Sequence, residues 1–370
     1  MKKTLGVFIG RFQPIHLGHL QTLRKMFNEC DYVLVAFGSS FRAPDTKNPF
    51  SFEERAKMVR EAAEVLGLPT QLLFTVGLRD YPYCNTKWQY GVQKVVVETM
   101  RAIENPQGIP PQGPFNWEVV LYGTEKDASS FYLKLFPQWR TATCELLDMD
   151  NNAMSATVIR EAMFNQPPED LEKVLAASCL PETINSLQDL LVSEKGQWLR
   201  GEYIWEQRYM EPYKSVPFPP VFQTVDNVVL WRGLVLLIER KHRPGMGLWA
   251  LPGGFININE TRRDAAIREL EEEAQPRVFR ETANGLKRVP MDESWIVGSR
   301  GFDHPGRSRR GRIITEAYLW RIPDNLEVDH KASDDAAKSR FFPLQTILDH
   351  MGEKLFEDHQ TIIAEMTLRN

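Results

Sequence analysis

Phe8-Ile9-Gly10-Arg11-Phe12-Gln13-Pro14-Ile15-His16-Leu17-Gly18-His19 continues directly from the apolar run Thr4-Leu5-Gly6-Val7. A run this short and this apolar suits a strand buried on both faces of a parallel sheet. Gly10 ends it, Pro14 and Gly18 frame a tight connection, and Leu20, Leu23 and Phe27 then recur at helical spacing. A helix therefore opens beside His16 and carries His19 in its first turn. A helix N-terminus presents unpaired N–H groups and partial positive charge. Two imidazoles at that spot, with Arg11 beside them, make a site for phosphate oxygens, whereas a lone histidine reads more simply as a core or solvated residue.

Outward from this stretch, strand-like runs alternate with helical ones as far as about residue 165: Tyr32 to Phe37, Leu72 to Val76, Val119 to Tyr122 and Thr143 to Leu147. The alternation predicts a doubly wound parallel sheet, in which ligands lie beyond the carboxyl ends of the strands. Residues 169–210 read as helical, and Tyr213-Lys214-Ser215-Val216-Pro217-Phe218-Pro219-Pro220 as a joint that neither helix nor central strand tolerates. Beyond it come strands at Thr224 to Trp231 and Leu234 to Arg240, a helix around 260–274, and strands at Ile313 to Trp320 and Ser339 to Phe342. We therefore expect an α/β domain over 1–180, a helical segment and proline-rich linker over 181–220, and a second, layered α/β domain over 221–370. A chain of 370 residues agrees with two cores.

A formal net charge of −4 gives no support for a nucleic-acid or membrane surface held by bulk electrostatics. Cys30, Cys84, Cys144 and Cys179 are widely spaced, fit no metal or disulfide pattern, and point to a reducing, cytoplasmic setting. No signal peptide is visible, and the apolar runs are too short to span a bilayer. Oligomeric state is not legible, and a homo-oligomer stays open.

Residues 10–19, taken with Ser155-Ala156-Thr157-Val158-Ile159-Arg160, resemble the two signatures of nucleotidyltransferases in the form seen in nicotinamide mononucleotide adenylyltransferases. The resemblance implies a Rossmann-like fold in which Ser155, Thr157 and Arg160 open a helix that holds the triphosphate of ATP. Two hydroxyls, N-terminal N–H groups and a guanidinium one turn on suit that task. Gly10, Phe12 and Gly18 are the implied ATP-binding partners in the first signature. Gly123-Thr124-Glu125-Lys126-Asp127-Ala128-Ser129 resembles a further family segment, which adds Lys126 and Asp127. Asn48-Pro49-Phe50 with Glu54-Arg55 resembles the archaeal-type enzymes, and Asn48, Arg55, Asp80, Asn85 and Trp88 are the implied grip on nicotinamide mononucleotide. A cationic pyridinium ring is attracted to the indole face of Trp88 by about 0.5–2 kcal/mol. The implied reaction is attack by the mononucleotide phosphate on the α-phosphorus of ATP, giving NAD and pyrophosphate. His16, His19, Arg11 and Arg160 are then catalytic positioners and charge stabilisers, with Mg²⁺ carried on the ATP phosphates.

Gly254-Phe255-Ile256-Asn257-Ile258-Asn259-Glu260 and Arg268-Glu269-Leu270-Glu271-Glu272-Glu273 reproduce the spacing G-x5-E-x7-R-E-x-x-E-E. Glu269, Glu272 and Glu273 share one helical face, which repels itself unless cations sit there. The pattern resembles the box of Nudix hydrolases and implies a divalent site of Gly254, Glu269, Glu272 and Glu273 for Mg²⁺, with Mn²⁺ as an alternative. Gln275-Pro276 departs from the glycine and aliphatic residue usual at the end of the box, which touches the helix exit and not the metal face. Arg307-Ser308-Arg309-Arg310-Gly311-Arg312, with Phe302-Asp303 and Pro305, resembles ADP-ribose pyrophosphatases, as does Asp334-Asp335-Ala336-Ala337. Arg240, Arg307 and Arg310 are the implied contacts for ADP-ribose, and Glu273 the first candidate for general base, with Glu293 and Asp303 open. Both halves in this order resemble bifunctional nicotinamide mononucleotide adenylyltransferase and ADP-ribose pyrophosphatase proteins. The competing readings are a ligand-sensing Nudix half that does not hydrolyse, and a different adenylyl acceptor in the first half.

Overall fold

The computed structural model describes residues 2–105, 116–124, 128–144, 154–329 and 339–368. The chain divides into two compact units, Met1–Gly201 and Glu202–Asn370.

The first unit runs β1 (Lys3–Gly10), α1 (Leu17–Glu29), β2 (Tyr32–Phe37), α2 (Phe52–Val65), β3 (Leu73–Gly77), α3 (Asn85–Glu104), β4 (Trp117–Gly123), β5 (Arg140–Thr143), α4 (Ala156–Asn165), α5 (Leu171–Leu175), α6 (Pro181–Val192) and α7 (Glu194–Met210), whose later turns belong to the second unit. The five strands form one sheet in the order β3-β2-β1-β4-β5, parallel throughout. The continuous apolar run of β1 is explained by this central place: Leu5 and Val7 are fully buried and share a core with Leu34, Ala36, Val92, Val96 and Leu121. The strand order reverses between β1 and β4, so the crevice for ligands opens at their carboxyl ends, where Gly10 lies. The fifth strand lies earlier than the expected Thr143 to Leu147, because β4 pairs it from Val120↔Arg140 to Gly123↔Thr143. Residues 145–147 lie outside the described ones.

The second unit continues with β6 (Val221–Trp231), β7 (Leu234–Glu239), β8 (Trp249–Ala250), β9 (Gly253–Phe255), α8 (Arg262–Glu273), β10 (Val278–Thr282), β11 (Gly285–Val289), β12 (Ile296–Phe302), β13 (Arg312–Arg321), β14 (Leu326–Val328), β15 (Ser339–Pro343), α9 (Leu344–His350) and α10 (His359–Thr367). Its main sheet has the path β12-β13-β6-β7-β15, with β9 against β6 and β8 against β7, and a small sheet orders β11-β10-β14. The parallel β6–β13 pair is the spine, in register from Val221↔Arg312 to Leu230↔Arg321. Thr261 and Asp264 close a capping box at the start of α8. At its exit Gln275 takes φ +41°, the left-handed conformation that glycine adopts without strain, so the departure from the box is absorbed in the backbone.

Asn227 of β6 ties this unit together. It is fully buried; its Nδ2 donates to the carbonyls of Pro252 (3.2 Å) and Ala266 (2.9 Å) and its Oδ1 accepts from Trp320 Nε1 (2.8 Å). One side chain thus joins β6, the loop before β9, α8 and β13. No helix among the described residues is long and apolar enough to cross a membrane. Asn227→Ala leaves Trp320 Nε1 without its acceptor and takes one donor from the carbonyls of Pro252 and Ala266, and calorimetry of the full chain is expected to show this unit destabilised by about 1–3 kcal/mol.

Candidate active sites

His16 is the N-cap of α1 and its main-chain N–H donates to His19 Nδ1 at 3.3 Å. The imidazole centroids lie 3.6 Å apart, and the residues are only 2% and 8% exposed. With Nδ1 of His19 accepting, the proton of the neutral ring sits on Nε2. Phe12 supports the pair from below: at φ +50° its ring centroid lies 4.6 Å from that of His19 and 5.1 Å from those of Phe8 and Phe37. A Cβ at Gly10 would lie 2.9 Å from the Phe12 ring, so Gly10 is the residue that lets this ring in. Gly18, in the first turn, gives its carbonyl to Thr22 Oγ1 at 3.2 Å.

Two buried arginines close the loop. Arg160 of α4 donates to the carbonyl of Gln13 at 2.7 Å and to Thr157 Oγ1 at 3.1 Å, bringing the second signature onto the first. Ser155 caps α4 by accepting from the Thr157 N–H at 3.2 Å. Arg55 of α2 is 1% exposed and donates to the carbonyls of Arg11 (2.7 Å), Gly38 (2.8 Å) and Ser51 (3.0 Å) and to Ser40 Oγ (3.1 Å). Burial lowers its pKa to about 10 against the pull of Asp80, Glu53 and Glu54. Its donors hold backbone, so Arg55 fixes the loops around the site. Gln13, which sequence reasoning passed over, exchanges two hydrogen bonds with the backbone of Phe50 (2.8 and 2.9 Å) and so locks the histidine loop to the Asn48-Pro49-Phe50 segment.

Asn48 is 4% exposed; its Nδ2 reaches both oxygens of Asp45 (3.1 and 3.2 Å), while its Oδ1 is buried with no hydrogen-bond partner among the described residues. Asp80 accepts from the Ser39 N–H at 3.0 Å and lies 3.8 Å from Arg42. Asn85 opens α3 exposed, and Trp88, half-buried, packs against Tyr132 (6.3 Å) and Phe136 (6.1 Å). Trp88 is thus both core and wall. Lys126 and Asp127 lie outside the described residues, as does Asp334-Asp335-Ala336-Ala337.

In the second unit Arg268 organises the carboxylates. It pairs with both oxygens of Glu260 (2.9 and 2.6 Å) and donates to the Phe255 carbonyl (3.1 Å), Glu269 (2.7 Å) and Glu272 (3.0 Å). These contacts hold Glu260 at a pKa of about 2. Glu273 Oε2 accepts from the Gly253 N–H at 2.8 Å, and burial, reinforced by Glu269 and Asp226, raises its pKa to about 7. Burial also raises Glu269. A Cβ at Gly254 would meet the Glu269 carboxylate at 2.5 Å, so this glycine leaves room between its own backbone and that carboxylate. The Glu272 side chain is 60% exposed. Among the described residues no three His, Cys, Asp or Glu side chains are gathered into a cage. Two carboxylates, one buried and one half-buried, held above their ordinary range beside a glycine cradle still fit a divalent cation, which supplies the counter-charge they lack.

The three arginines expected at ADP-ribose separate. Arg240 and Arg310 converge on the ring of Phe356, at 4.0 and 5.5 Å, and Arg310 also lies 5.5 Å from Phe255. Burial and the neighbouring Arg310 lower the pKa of Arg240. Arg310 is also paired with Glu357 at 3.3 Å and Arg240 donates to the Pro244 carbonyl at 2.7 Å, which holds two guanidiniums together on one aromatic ring, donors of the kind that suit a diphosphate. Arg307, with a side chain 2% exposed, pairs with Asp358 (2.9 and 3.2 Å) and faces Asp226 at 3.8 Å. Burial opposes its charge, but Asp358, Asp226 and Glu357 outweigh that and hold its pKa above the ordinary value. Glu293 pairs with Arg263 at 3.0 Å, and the Asp303 carbonyl accepts from Arg312.

A cytidylyltransferase-like family model matches residues 7–70 and a NUDIX domain model residues 221–365. The chain is 34% identical over 198 residues to a nicotinamide/nicotinic acid mononucleotide adenylyltransferase of Acinetobacter baylyi, covering 53% of this chain and 92% of that one. It is 33% identical over 162 residues to an ADP-ribose pyrophosphatase of Methanocaldococcus jannaschii, covering 44% and 81%. The crystal structure of a bifunctional NMN adenylyltransferase/ADP ribose pyrophosphatase from Francisella tularensis, complexed with AMP and a Mn ion, matches at 29% identity with a TM-score of 0.81, over 100% of this chain and 99% of that one. The chain belongs to this bifunctional family. Both α/β folds expected from the sequence are therefore present in one chain, and the Nudix half belongs to a class of hydrolases that depend on a divalent cation. Gly254→Ala displaces the Glu269 carboxylate, and titration with Mn²⁺ is expected to show affinity falling at least about tenfold.

Proposed function

We propose that this chain catalyses both reactions of its family: adenylyl transfer from ATP to nicotinamide mononucleotide, giving NAD and pyrophosphate, and hydrolysis of ADP-ribose to AMP and ribose 5-phosphate. The reading is carried by the retention of both residue sets in a chain that matches a bifunctional relative from end to end.

In the first site the attacking phosphate is already ionised, so alignment and charge neutralisation are the task, with about 7–11 kcal/mol available from orientation. His16, His19 and Arg11 neutralise charge as it develops. Ser155, Thr157 and the N-terminus of α4 receive the triphosphate, and Arg160 keeps α4 on the histidine loop; Lys126 and Asp127, outside the described residues, are further ATP contacts that the family resemblance implies. Gly10, Phe12 and Gly18 shape the floor on the ATP side. Asn48, Asp80, Asn85 and Trp88 take nicotinamide mononucleotide, and the buried Oδ1 of Asn48 offers it an acceptor; Arg55 holds the surrounding backbone.

In the second site the Gly254 carbonyl, Glu269, Glu272 and Glu273 would hold the cation. We assign Mg²⁺, with Mn²⁺ able to replace it. When bound, the cation polarises the pyrophosphate linkage and favours deprotonation of the attacking water. Glu273 is the first candidate to accept that proton, whereas Glu293 is engaged by Arg263. Arg240 and Arg310 receive the diphosphate, and Arg307 acts from behind, through Asp358 and Asp226. ATP, nicotinamide mononucleotide, NAD and ADP-ribose are the partners, with no role for nucleic acid or membrane. The four free thiols support a cytoplasmic setting.

His19→Ala is expected to lower NAD formation by about 10²–10³ while leaving ADP-ribose cleavage at its wild-type rate. Glu273→Gln is expected to reverse the pattern, with hydrolysis down at least about a hundredfold and NAD synthesis intact. Chromatographic assay of both products for each variant checks both. Unimpaired cleavage by Glu273→Gln would remove Glu273 from the reaction, whereas a wild type that leaves ADP-ribose uncut would favour a ligand-sensing Nudix half.

A further inference from the structure

His359, the first residue of α10, is 4% exposed and stands under the glycine loop of the second unit. Its Nδ1 accepts the main-chain N–H of Leu251 at 2.9 Å, and its Nε2 lies 3.7 Å from Asp226 Oδ1. Burial lowers its pKa, against the pull of Asp226, Asp358 and Glu357, so the ring is neutral. A neutral ring that accepts at Nδ1 carries its one proton on Nε2, towards Asp226. Asp226 is itself fixed: Oδ2 accepts from Thr315 Oγ1 at 2.7 Å and faces Arg307 at 3.8 Å, and Arg307 is paired with Asp358, the residue before His359. The imidazole is thereby held in one tautomer and one orientation.

Leu251 leads into Pro252-Gly253-Gly254. Pro252 has no N–H, so the amides on either side of it carry the anchoring of this turn: Leu251 to His359, and Gly253 to Glu273 Oε2 at 2.8 Å. The Pro252 carbonyl is gripped between them by the N–H and Nδ2 of Asn227, at 2.8 and 3.2 Å. Gly253 pairs with Asp226 of β6, and a Cβ there would stand 2.1 Å from the Val225 carbonyl, so only glycine fits this close approach.

We propose that His359 is a positioning residue for the Nudix reaction: by accepting the Leu251 amide from beneath, it sets the glycine loop at the height where the Gly254 carbonyl and the Glu273 carboxylate can meet one divalent cation. The inference rests on the proposed ADP-ribose hydrolysis. His359 touches neither substrate nor cation, and its effect passes entirely through backbone.

Two variants of the full chain separate this role from packing. His359→Leu removes the acceptor and keeps apolar bulk, whereas His359→Asn places an oxygen where Nδ1 stood. Three quantities are measured: Mn²⁺ affinity by electron paramagnetic resonance, hydrogen exchange of the peptides covering Leu251 and residues 221–231, and kcat and KM for ADP-ribose. For His359→Leu we expect Mn²⁺ affinity and kcat to fall about 10–100-fold, with KM within about threefold. The Leu251 amide should lose protection while residues 221–231 keep theirs. His359→Asn should recover affinity and protection to within about threefold of wild type. Wild-type affinity in His359→Leu, or equal loss in both variants, overturns the proposal. If His359→Leu also loosens residues 221–231, His359→Asn decides: retained affinity supports the role and lost affinity overturns it. A wild type that leaves ADP-ribose uncut overturns the functional reading alone, since Mn²⁺ affinity and exchange still judge His359.

Discussion

A buried guanidinium cannot shed its proton, so its donors must be met inside the protein, and in both units they are met by the loops that carry the chemistry. In the first unit Arg55 gathers the carbonyls of Arg11, Gly38 and Ser51, and Arg160 takes that of Gln13. In the second, buried Arg307 joins Asp358 to Asp226, and half-buried Arg268 joins Glu260, Glu269, Glu272 and the Phe255 carbonyl. Removing such a group leaves carbonyls or carboxylates buried without a partner, which costs more than the contacts themselves are worth. These side chains therefore hold the loops of both sites in place.

The two sites use charge in opposite senses. The crevice at the end of β1 collects imidazole, guanidinium and helix N-terminus, so the protein itself supplies the positive charge that phosphate transfer needs. The face of α8 collects carboxylates, and burial makes their charge costly: Glu273 is pushed up to about 7. A divalent cation relieves that cost, and the same cation is what hydrolysis of a diphosphate requires. Each site is built around a glycine that admits a neighbour, Gly10 for the Phe12 ring and Gly254 for the Glu269 carboxylate.

Where pattern is local, the sequence is easy to read. The apolar run of β1, the helix that follows it, and the face shared by Glu269 and Glu273 depend on neighbours a few residues away, and the structure has them as expected. The short edge strand β5 is largely exposed, so hydrophobicity says little about where it begins. The Gln13–Phe50 and Asn227–Trp320 links span long separations, and nothing near either residue announces its partner. The arginine-rich stretch shows the same limit. Arg307 goes inside to Asp358 and Asp226, Arg309 reaches Glu206, Arg310 stacks on aromatic rings and Arg312 meets the Asp303 carbonyl, four fates that composition alone does not distinguish.

Two chemistries of opposite polarity in one chain are tested most directly by supplying the purified wild-type protein with nicotinamide mononucleotide and ATP, and separately with ADP-ribose, each with Mg²⁺, and resolving the products. NAD with pyrophosphate from the first mixture, and AMP with ribose 5-phosphate from the second, is the predicted result. The absence of NAD, or intact ADP-ribose in the presence of Mg²⁺ and of Mn²⁺, would contradict it.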